Sequence, residues 1–183
     1  MALRVENLTV KSQSFPVVDG LSFHVSPRQT LALVGESGCG KTVTALSVMG
    51  LLPAGLKVAG GEIALGGERL TGLSPKELGK RRGKLMSMIF QEPMTALNPV
   101  MTIGRQITET IEAHKARGKR ESKAYALDLL REVGLEAAEK IFRSYPHELS
   151  GGMRQRVMCV IAICASPKLI IADEPTTALD ATI

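Results

Sequence analysis

The chain has 183 residues, 44% of them hydrophobic and 22% charged, so it is long enough to bury one full core and has the composition of a globular protein. A net charge of +5 suits a phosphate-bearing ligand or an acidic membrane surface without selecting either, and the three cysteines form no C-x-x-C pair that would indicate a zinc site or disulfide framework. The longest apolar segment, 157–172, is interrupted by Ser166-Pro167-Lys168, which excludes a single membrane-spanning helix there. The N-terminus has no leader pattern, so we expect a cytosolic chain.

The first part of the chain predicts strands that lead into a glycine-rich loop. Leu3 to Val10 alternates apolar and polar residues, the pattern of a half-buried strand, and a second strand is expected over Leu21 to Val25. The apolar run Leu31 to Val34 predicts a buried strand, and Val43 to Met49 predicts a helix. Between them lies Gly35-Glu36-Ser37-Gly38-Cys39-Gly40-Lys41-Thr42.

This loop fits G-x-x-x-x-G-K-[ST] in the strand-to-helix context that a phosphate-binding loop requires. Glycines let the backbone curl until several N–H groups converge on one anion, and the helix N-terminus adds partial positive charge. We therefore predict that the loop binds a nucleoside triphosphate, with Lys41 reaching the β- and γ-phosphates and the Thr42 hydroxyl holding Mg²⁺. Cys39 is either a reactive thiol at the helix N-terminus or a small residue that fits the loop.

The next segment predicts a hairpin and a short helix. Gly60 to Leu70 predicts a β-hairpin that turns on Gly66-Gly67. Ser74 and Pro75 predict the N-cap and the first position of a helix. A basic segment follows, and it is either a solvated face or a nucleic-acid patch; because it has no interleaved aromatic residues, the solvated face is favoured. The basic residues are Lys80, Arg81, Arg82 and Lys84.

A long helical segment follows a further strand. Leu85 to Phe90 predicts a strand that ends at Gln91, and the pattern is helical from Glu92 to Leu149. Apolar residues at 126, 129, 130 and 133 have helical spacing, with Gly134 at a C-cap position. The charged stretch Lys115 to Glu121 predicts a solvated loop. We expect a helical subdomain over 92–155, inserted into an α/β core formed by 1–91 and 156–183.

Ser150-Gly151-Gly152 opens a predicted helix from Met153 to Ala165. Ser150 can cap this helix, and the two glycines leave backbone N–H groups open to an anion. The segment is therefore either an ordinary capped helix start or a second anion site that meets the phosphate of a nucleotide held by another copy.

The apolar run Leu169 to Ala172 predicts a parallel strand covered on both faces, and it ends in Asp173-Glu174. Ligands in open α/β sheets bind beyond the carboxyl ends of strands, so we expect these carboxylates to face the same crevice as the phosphate loop. Asp173 is the candidate Mg²⁺ ligand, directly or through water. Glu174 is the candidate group that orients or deprotonates the attacking water.

Together and in this order, the motifs resemble those of the ATP-binding-cassette ATPases. They are the loop around Lys41, Gln91, the LSGGMRQR run at 149–156, IIADEP at 170–175 and ALD at 178–180. Residues 89–99 and 172–180 further resemble the ATPase subunits of dipeptide, oligopeptide and nickel importers. The fold implied is α/β, a P-loop NTPase (RecA-like) core with an antiparallel β subdomain and an inserted all-helical subdomain.

The resemblance implies a role for each matching residue. Residues 35–43, from Gly35 to Val43, would bind the nucleotide, Gln91 would contact Mg²⁺ and the attacking water, and Glu174 would be the catalytic base. Ser150, Gly151 and Gly152 would bind the γ-phosphate of a partner subunit's ATP, and Asp180 would lie at the dimer seam. Phe15 either stacks on adenine or is a core or surface residue, and residues 92–98 would face a membrane subunit.

The function implied is ATP hydrolysis that powers import of peptides or nickel, with ATP and Mg²⁺ as cofactors. The chain would be a cytoplasmic subunit, peripheral on the inner membrane. Its partners would be a second ATPase subunit, transmembrane permease subunits and, indirectly, a periplasmic or extracellular substrate-binding protein, with no nucleic acid expected. The alternatives are a soluble cassette ATPase that acts on nucleic acid or ribosomes, and a nucleotide-binding module with little turnover.

The family also places a switch histidine well after the Asp-Glu pair. His24, His114 and His147 all precede Asp173, and the sequence stops at Ile183, so it resembles a truncated cassette or a fragment of a longer protein. Losing a group that stabilises the γ-phosphate typically costs about 10²- to 10³-fold in rate. The alternative of a nucleotide-binding module with little turnover rests on this truncation.

Overall fold

The computed structural model describes residues 2–13, 15–91, 96–114 and 118–174. The chain divides into two units, 1–85 and 86–183. An antiparallel sheet forms the centre of the first unit. Its strand order is β2-β1-β3-β4. The strands are β1 (Leu3–Lys11), β2 (Pro16–Val25), β3 (Lys57–Leu65) and β4 (Glu68–Arg69). The predicted hairpin is confirmed, because β3 and β4 pair across a turn at 66–67.

The alternation predicted for β1 is confirmed with one interruption. Leu3, Val5, Leu8 and Val10 are buried against the core of the unit. Around Asn7, which has a φ of 49°, the register shifts with both neighbouring strands: between Val5 and Leu8 against β2, and between Glu6 and Thr9 against β3. Asparagine tolerates this left-handed conformation, so an inserted residue returns Leu8 to the buried face.

The strand expected over Leu31–Val34 is wrong for the described part of the first unit. Residues 26–40 connect β2 to helix α1 (Lys41–Met49) with no strand, and Val34 is 93% exposed. A strand needs a neighbour for its backbone N–H and C=O groups, and the sheet of residues 1–85 offers none to this segment. The apolar run alone therefore did not determine the conformation.

Helix α2 (Pro75–Arg81) begins where the sequence predicts. The Ser74 hydroxyl accepts a hydrogen bond from the Glu77 backbone N–H, and the Glu77 carboxylate accepts one from the Ser74 backbone N–H, which forms a capping box. These bonds from the Ser74 side chain and backbone hold the pKa of Glu77 below its usual value. The N-terminus of α2 is thus fixed by local chemistry.

The second unit contains a two-stranded parallel sheet of β5 (Met86–Ile89) and β6 (Leu169–Ala172). Met86 and Ile89 are buried. The expectation that β6 is covered on both faces is wrong for the described residues, because its burial alternates and Ile170 is 45% exposed. An apolar run therefore did not imply a fully buried strand.

In the described part of the second unit, four helices form the core. They are α3 (Ile103–His114), α4 (Lys119–Glu132), α5 (Ala138–Arg143) and α6 (Gly151–Ile163), with a short 3-10 turn at Pro146–Glu148. The apolar face of α3, formed by Ile103, Ile107 and Ile111, is buried in a hydrophobic cluster that also contains Leu130 of α4. The predicted helical spacing is confirmed for Ala126, Leu129 and Leu130, and Gly134 follows α4 with a φ of 75°.

The loop predicted at Lys115–Glu121 is shorter than expected, because α4 already begins at Lys119 after the N-cap Gly118. Residues 115–117 lie outside the described part of the chain. The described helices of the second unit run from 103 to 163. A helical subdomain bounded at 92 and 155 stays a prediction.

Gly104 tests how tightly the helices of the second unit pack. A Cβ at Gly104 would lie 2.3 Å from the Phe142 ring of α5, so we expect Gly104→Ala to lower the free energy of unfolding by about 1–3 kcal/mol through overpacking. The control is Gly79→Ala in α2, where a Cβ meets no atom within 4 Å and added helix propensity should stabilise by about 0.5–1 kcal/mol. Urea denaturation of both variants measures this, and equal stability of the Gly104 variant and wild type would contradict the packing.

Candidate functional site

The glycine-rich loop ends at the N-terminus of α1, as the sequence predicts. Gly40 is the N-cap, with a φ of 95°, and no side chain caps the helix. The first turn of α1 holds no acidic residue. Because the first backbone N–H groups of a helix have no partner within it, this end of α1 presents donors and partial positive charge to an anion.

Gly40 is also pressed against strand β2. A Cβ at Gly40 would lie 3.0 Å from the Val17 backbone oxygen and 3.1 Å from a methyl group of Val18. Both the left-handed backbone and this close approach require glycine. The loop is therefore anchored on β2 at the point where α1 begins.

The Lys41 ammonium group folds back over the loop. Its Nζ donates hydrogen bonds to the backbone oxygens of Gly35, at 2.8 Å, and Glu36, at 2.7 Å. These bonds place a positive charge over the loop backbone beside the uncapped start of α1. The loop residues Glu36, Ser37, Gly38 and Cys39 are exposed, as is Thr42, while Val43 is half-buried.

Phe15 lies in the same unit as the loop. It closes a tight turn in which the Ser12 backbone N–H donates to the Phe15 oxygen at 3.0 Å, and its side chain is 63% exposed. The turn leads directly into β2, whose Val17 contacts Gly40. A core position is thus wrong for Phe15, and its exposed ring stays a candidate for stacking.

The second unit brings together Gln91 and Glu174, which are 83 positions apart in the sequence. They follow the carboxyl ends of the paired strands β5 and β6, and pairing continues past β6 because the Asp173 backbone N–H donates to the Ile89 oxygen at 3.0 Å. The Gln91 side-chain Nε2 donates to Glu174 Oε2 at 2.5 Å. Sequence reasoning chose both residues but did not foresee this contact.

The two neighbouring acids differ in their surroundings. Asp173 is buried, with 9% of its surface exposed, whereas Glu174 is exposed and has a φ of 48°. A left-handed backbone at a residue other than glycine costs on the order of 1–3 kcal/mol and is concentrated at functional sites. The strand end therefore turns the Glu174 carboxylate away from the strand direction and towards Gln91.

Ser150 caps helix α6 as predicted, since its hydroxyl accepts a hydrogen bond from the Met153 backbone N–H at 3.3 Å. Gly151 and Gly152 begin the helix with open space where a Cβ would lie. Two arginines of the helix donate hydrogen bonds to backbone oxygens in the segments between helices. Arg154 donates to the Pro146 oxygen at 2.8 Å, and Arg156 donates to the Gly134 oxygen at 3.2 Å. Anion binding at this helix start stays a prediction.

The basic segment before β5 is only partly a solvated face. Arg81 donates to the Glu68 carboxylate and to the Glu77 oxygen, and Arg82 donates to two backbone oxygens at the end of α1. Lys80 and Lys84 are exposed. Because the two arginines are committed to internal contacts, the segment offers little support for a nucleic-acid patch.

Some predicted site residues lie outside the described part of the chain. They are Asp180, with all of 175–183, and residues 92–95 of the segment expected to face a membrane subunit. Among the described residues, no three His, Cys, Asp or Glu side chains converge as a metal site, and no helix is long and apolar enough to cross a membrane.

The glycine-rich loop that leads into α1, together with the similarity to solved structures, shows that the chain has a P-loop ATPase fold of the cassette class. The chain is 26% identical to the ATP-binding cassette MJ0796, solved as a dimer bound to ADP and Pi, with a TM-score of 0.86 over 98% of this chain and 76% of that one. A second neighbour, an ATP-binding subunit of an ABC transporter, is 28% identical with a TM-score of 0.80 over 99% of this chain and 69% of its own.

The family model described as ABC transporter matches residues 18–177, and the chain belongs to this family. It is 54% identical to the oligopeptide transport ATP-binding protein AppD of Bacillus subtilis, over 99% of this chain and 57% of that protein. It is 46% identical to the dipeptide transport ATP-binding protein DppD of the same organism, over 99% and 56%. The chain spans about half the length of the curated relatives it matches.

Gly40 provides a test of the loop anchor. We expect Gly40→Ala to destabilise the protein by about 1–3 kcal/mol, because alanine is strained at a φ of 95° and its Cβ presses on the Val17 oxygen. Gly72→Ala is the matched control, with a φ of 90° and no atom within 4 Å of the Cβ position, so it reports the backbone strain alone. Chemical denaturation should rank the Gly40 variant as less stable, and equal losses would contradict the close approach to β2.

Proposed function

We propose that this chain is the ATP-binding and ATP-hydrolysing part of an importer that takes up peptides through partner membrane subunits. The observation that carries the proposal is the start of α1 at Gly40, with no side-chain cap and with the Lys41 ammonium folded beside it, because such a helix start suits a phosphate group. Peptides are favoured over nickel because the relatives are named as oligopeptide and dipeptide transport proteins.

Nucleotide binding is assigned to residues of the first unit. Residues 35–43 would cradle the phosphates through their backbone N–H groups, with Lys41 exchanging its loop carbonyls for phosphate oxygens. Phe15 would stack on adenine, since its ring is exposed and its turn leads into the strand that anchors the loop. Base–aromatic stacking contributes about 1–3 kcal/mol in other proteins.

Hydrolysis is assigned to Glu174 and Gln91. The Gln91 amide donates to one carboxylate oxygen of Glu174, which fixes the direction of the carboxylate. The Glu174 carboxylate would accept a proton from an attacking water. Asp173 is more buried and would act on the metal instead, so the two acids would have separate tasks.

The proposed ligand side chains are of the type that Mg²⁺ takes. Magnesium takes oxygen ligands, usually one or two carboxylates together with substrate phosphates and water, so a cluster of three acidic residues is not required. The Thr42 hydroxyl, the Asp173 carboxylate and the Gln91 side-chain oxygen would hold it. When bound, the ion neutralises charge on the phosphate oxygens.

The partners are also part of the proposal. A second ATPase subunit would place Ser150, Gly151 and Gly152 of one copy on the γ-phosphate held by the other, with Asp180 at the seam; the dimeric neighbour supports this assembly. Transmembrane permease subunits would hold the chain at the cytoplasmic face of the inner membrane. A substrate-binding protein outside that membrane would deliver the peptide.

The lysine of the loop gives the most direct test of binding. Lys41→Ala should abolish measurable affinity for ATP, because the ammonium contact to the phosphates is lost. The control is Lys76→Ala, an exposed lysine of α2 in the same unit, which should bind ATP as the wild type does. Isothermal titration calorimetry measures both variants, and ATP binding retained by Lys41→Ala would overturn the loop assignment.

Glu174, which follows the end of β6, provides the test of hydrolysis. Glu174→Gln should retain ATP and lower phosphate release by about 10²- to 10⁴-fold, because the amide cannot accept the proton. Glu136→Gln, an exposed glutamate elsewhere in the second unit, should hydrolyse ATP at the wild-type rate.

Unchanged turnover in the Glu174 variant would remove it from the base role. Wild-type protein that binds ATP but releases no phosphate would instead support the module with little turnover.

A further inference from the structure

The side chain of Arg82 joins the two helices of the first unit. Its Nε donates to the Met49 backbone oxygen at 3.0 Å, and one terminal nitrogen donates to the Gly50 oxygen at 2.8 Å. Met49 is the last residue of α1 and Gly50 is its C-cap. One half-buried guanidinium group thus bridges two consecutive carbonyls at the end of the helix that begins in the phosphate loop.

The end of α1 has no positive charge of its own. Its last turn contains no basic residue. The Gly50 and Leu51 backbone N–H groups bond back to the oxygens of Ser47 and Leu46, at 3.1 and 2.9 Å. The Met49 oxygen is bonded instead by Arg82, from 33 positions away. Because carbonyls at a helix C-terminus carry partial negative charge, a guanidinium there stabilises the helix.

Arg82 is itself fixed to α2. Its backbone N–H donates to the Leu78 oxygen at 3.1 Å, and it is the C-cap residue of that helix. Leu78 packs on the same corner, since a Cβ added to Gly50 would lie 2.4 Å from its methyl group. The end of α1 is therefore held by Leu78 of α2 and by two charge-assisted hydrogen bonds from Arg82, the C-cap residue of α2.

The length of α1 makes this anchor important for the loop. A helix of nine residues is about 13 Å long and is unstable in isolation, so its position depends on what holds its two ends. The first end is pressed against Val17 of β2 and the last end is held by Arg82. If the last end is released, the amide groups at the first end lose their fixed direction towards the phosphates.

We propose that Arg82 is a positioning residue for nucleotide binding, which acts through α1 by holding its C-terminus while its N-terminus binds phosphate. The proposal rests on the proposed function, because it requires that the loop at 35–42 binds a nucleotide. Arg82 does not itself contact the loop in the described structure; the guanidinium lies at the opposite end of α1.

Three variants of the protein at its natural length test the proposal, with fluorescent mant-ADP as the probe. Arg82→Met removes both hydrogen bonds and should raise the Kd by about tenfold. Arg82→Lys keeps the charge but replaces the planar fork with a single nitrogen on a flexible stem, so its Kd should lie between wild type and Arg82→Met. Arg81→Met is the matched control, because the neighbouring arginine bonds to Glu68 and Glu77 but not to α1, and it should bind as the wild type does.

Thermal melting of each variant separates positioning from general loss of structure. The proposal is supported if the Kd follows the order wild type, Arg82→Lys, Arg82→Met while Arg81→Met stays at the wild-type value, even where Arg81→Met lowers the melting temperature more. It is overturned if Arg82→Met binds like wild type, or if Arg81→Met weakens binding equally. If Arg82→Met does not fold, Arg82→Lys decides: an unchanged Kd overturns the proposal and a raised Kd supports it.

Binding of mant-ADP to the wild-type protein distinguishes a failure of the proposed function from a failure of the role proposed for Arg82. If it does not bind mant-ADP, the proposed function fails and this inference fails with it. If it binds and only the expected order of variants is missing, the inference about Arg82 is wrong while nucleotide binding stands.

Discussion

The first unit depends on the fixed position of one short helix end. Backbone N–H groups bind an anion strongly only when several of them point to the same place. The start of α1 has a left-handed glycine pressed on β2, and the proposed phosphate site depends on this anchor. The Lys41 side chain already lies across the loop, bonded to the oxygens of Gly35 and Glu36. The charge and the donors therefore lie at the same end of α1, and holding them there lowers the ordering cost of binding.

Guanidinium groups on helix-end carbonyls recur in both units. Arg82 holds the end of α1 in the first unit, and Arg156 bonds to the Val133 and Gly134 oxygens after α4 in the second. In each case the helix end includes a glycine with positive φ, and the arginine comes from a distant part of the sequence. An arginine suits this task because its planar group can bond two neighbouring oxygens at once. These arginines, which contribute to the positive net charge, therefore bond within the fold rather than to an external partner.

Sequence reasoning succeeded where local chemistry decides the structure. The Ser74 capping box, the turn at 66–67, the glycine start of α1 and the Ser150 cap all follow from a few adjacent residues. It failed at Leu31–Val34 and on the covering of β6, because both expectations depend on which other segments supply neighbours. It also missed the bonds from Gln91 to Glu174 and from Arg82 to Met49, since residues this far apart meet only through the tertiary fold.

Backbone amide NMR of the loop is the measurement that tests the central claim most directly. Addition of ADP should shift the amide resonances of Gly38, Gly40 and Lys41, and adenosine, which lacks phosphates, should leave these resonances in place even at concentrations where it binds. The account would be contradicted if bound ADP shifted only resonances outside residues 35–42, or if adenosine produced the same shifts within the loop.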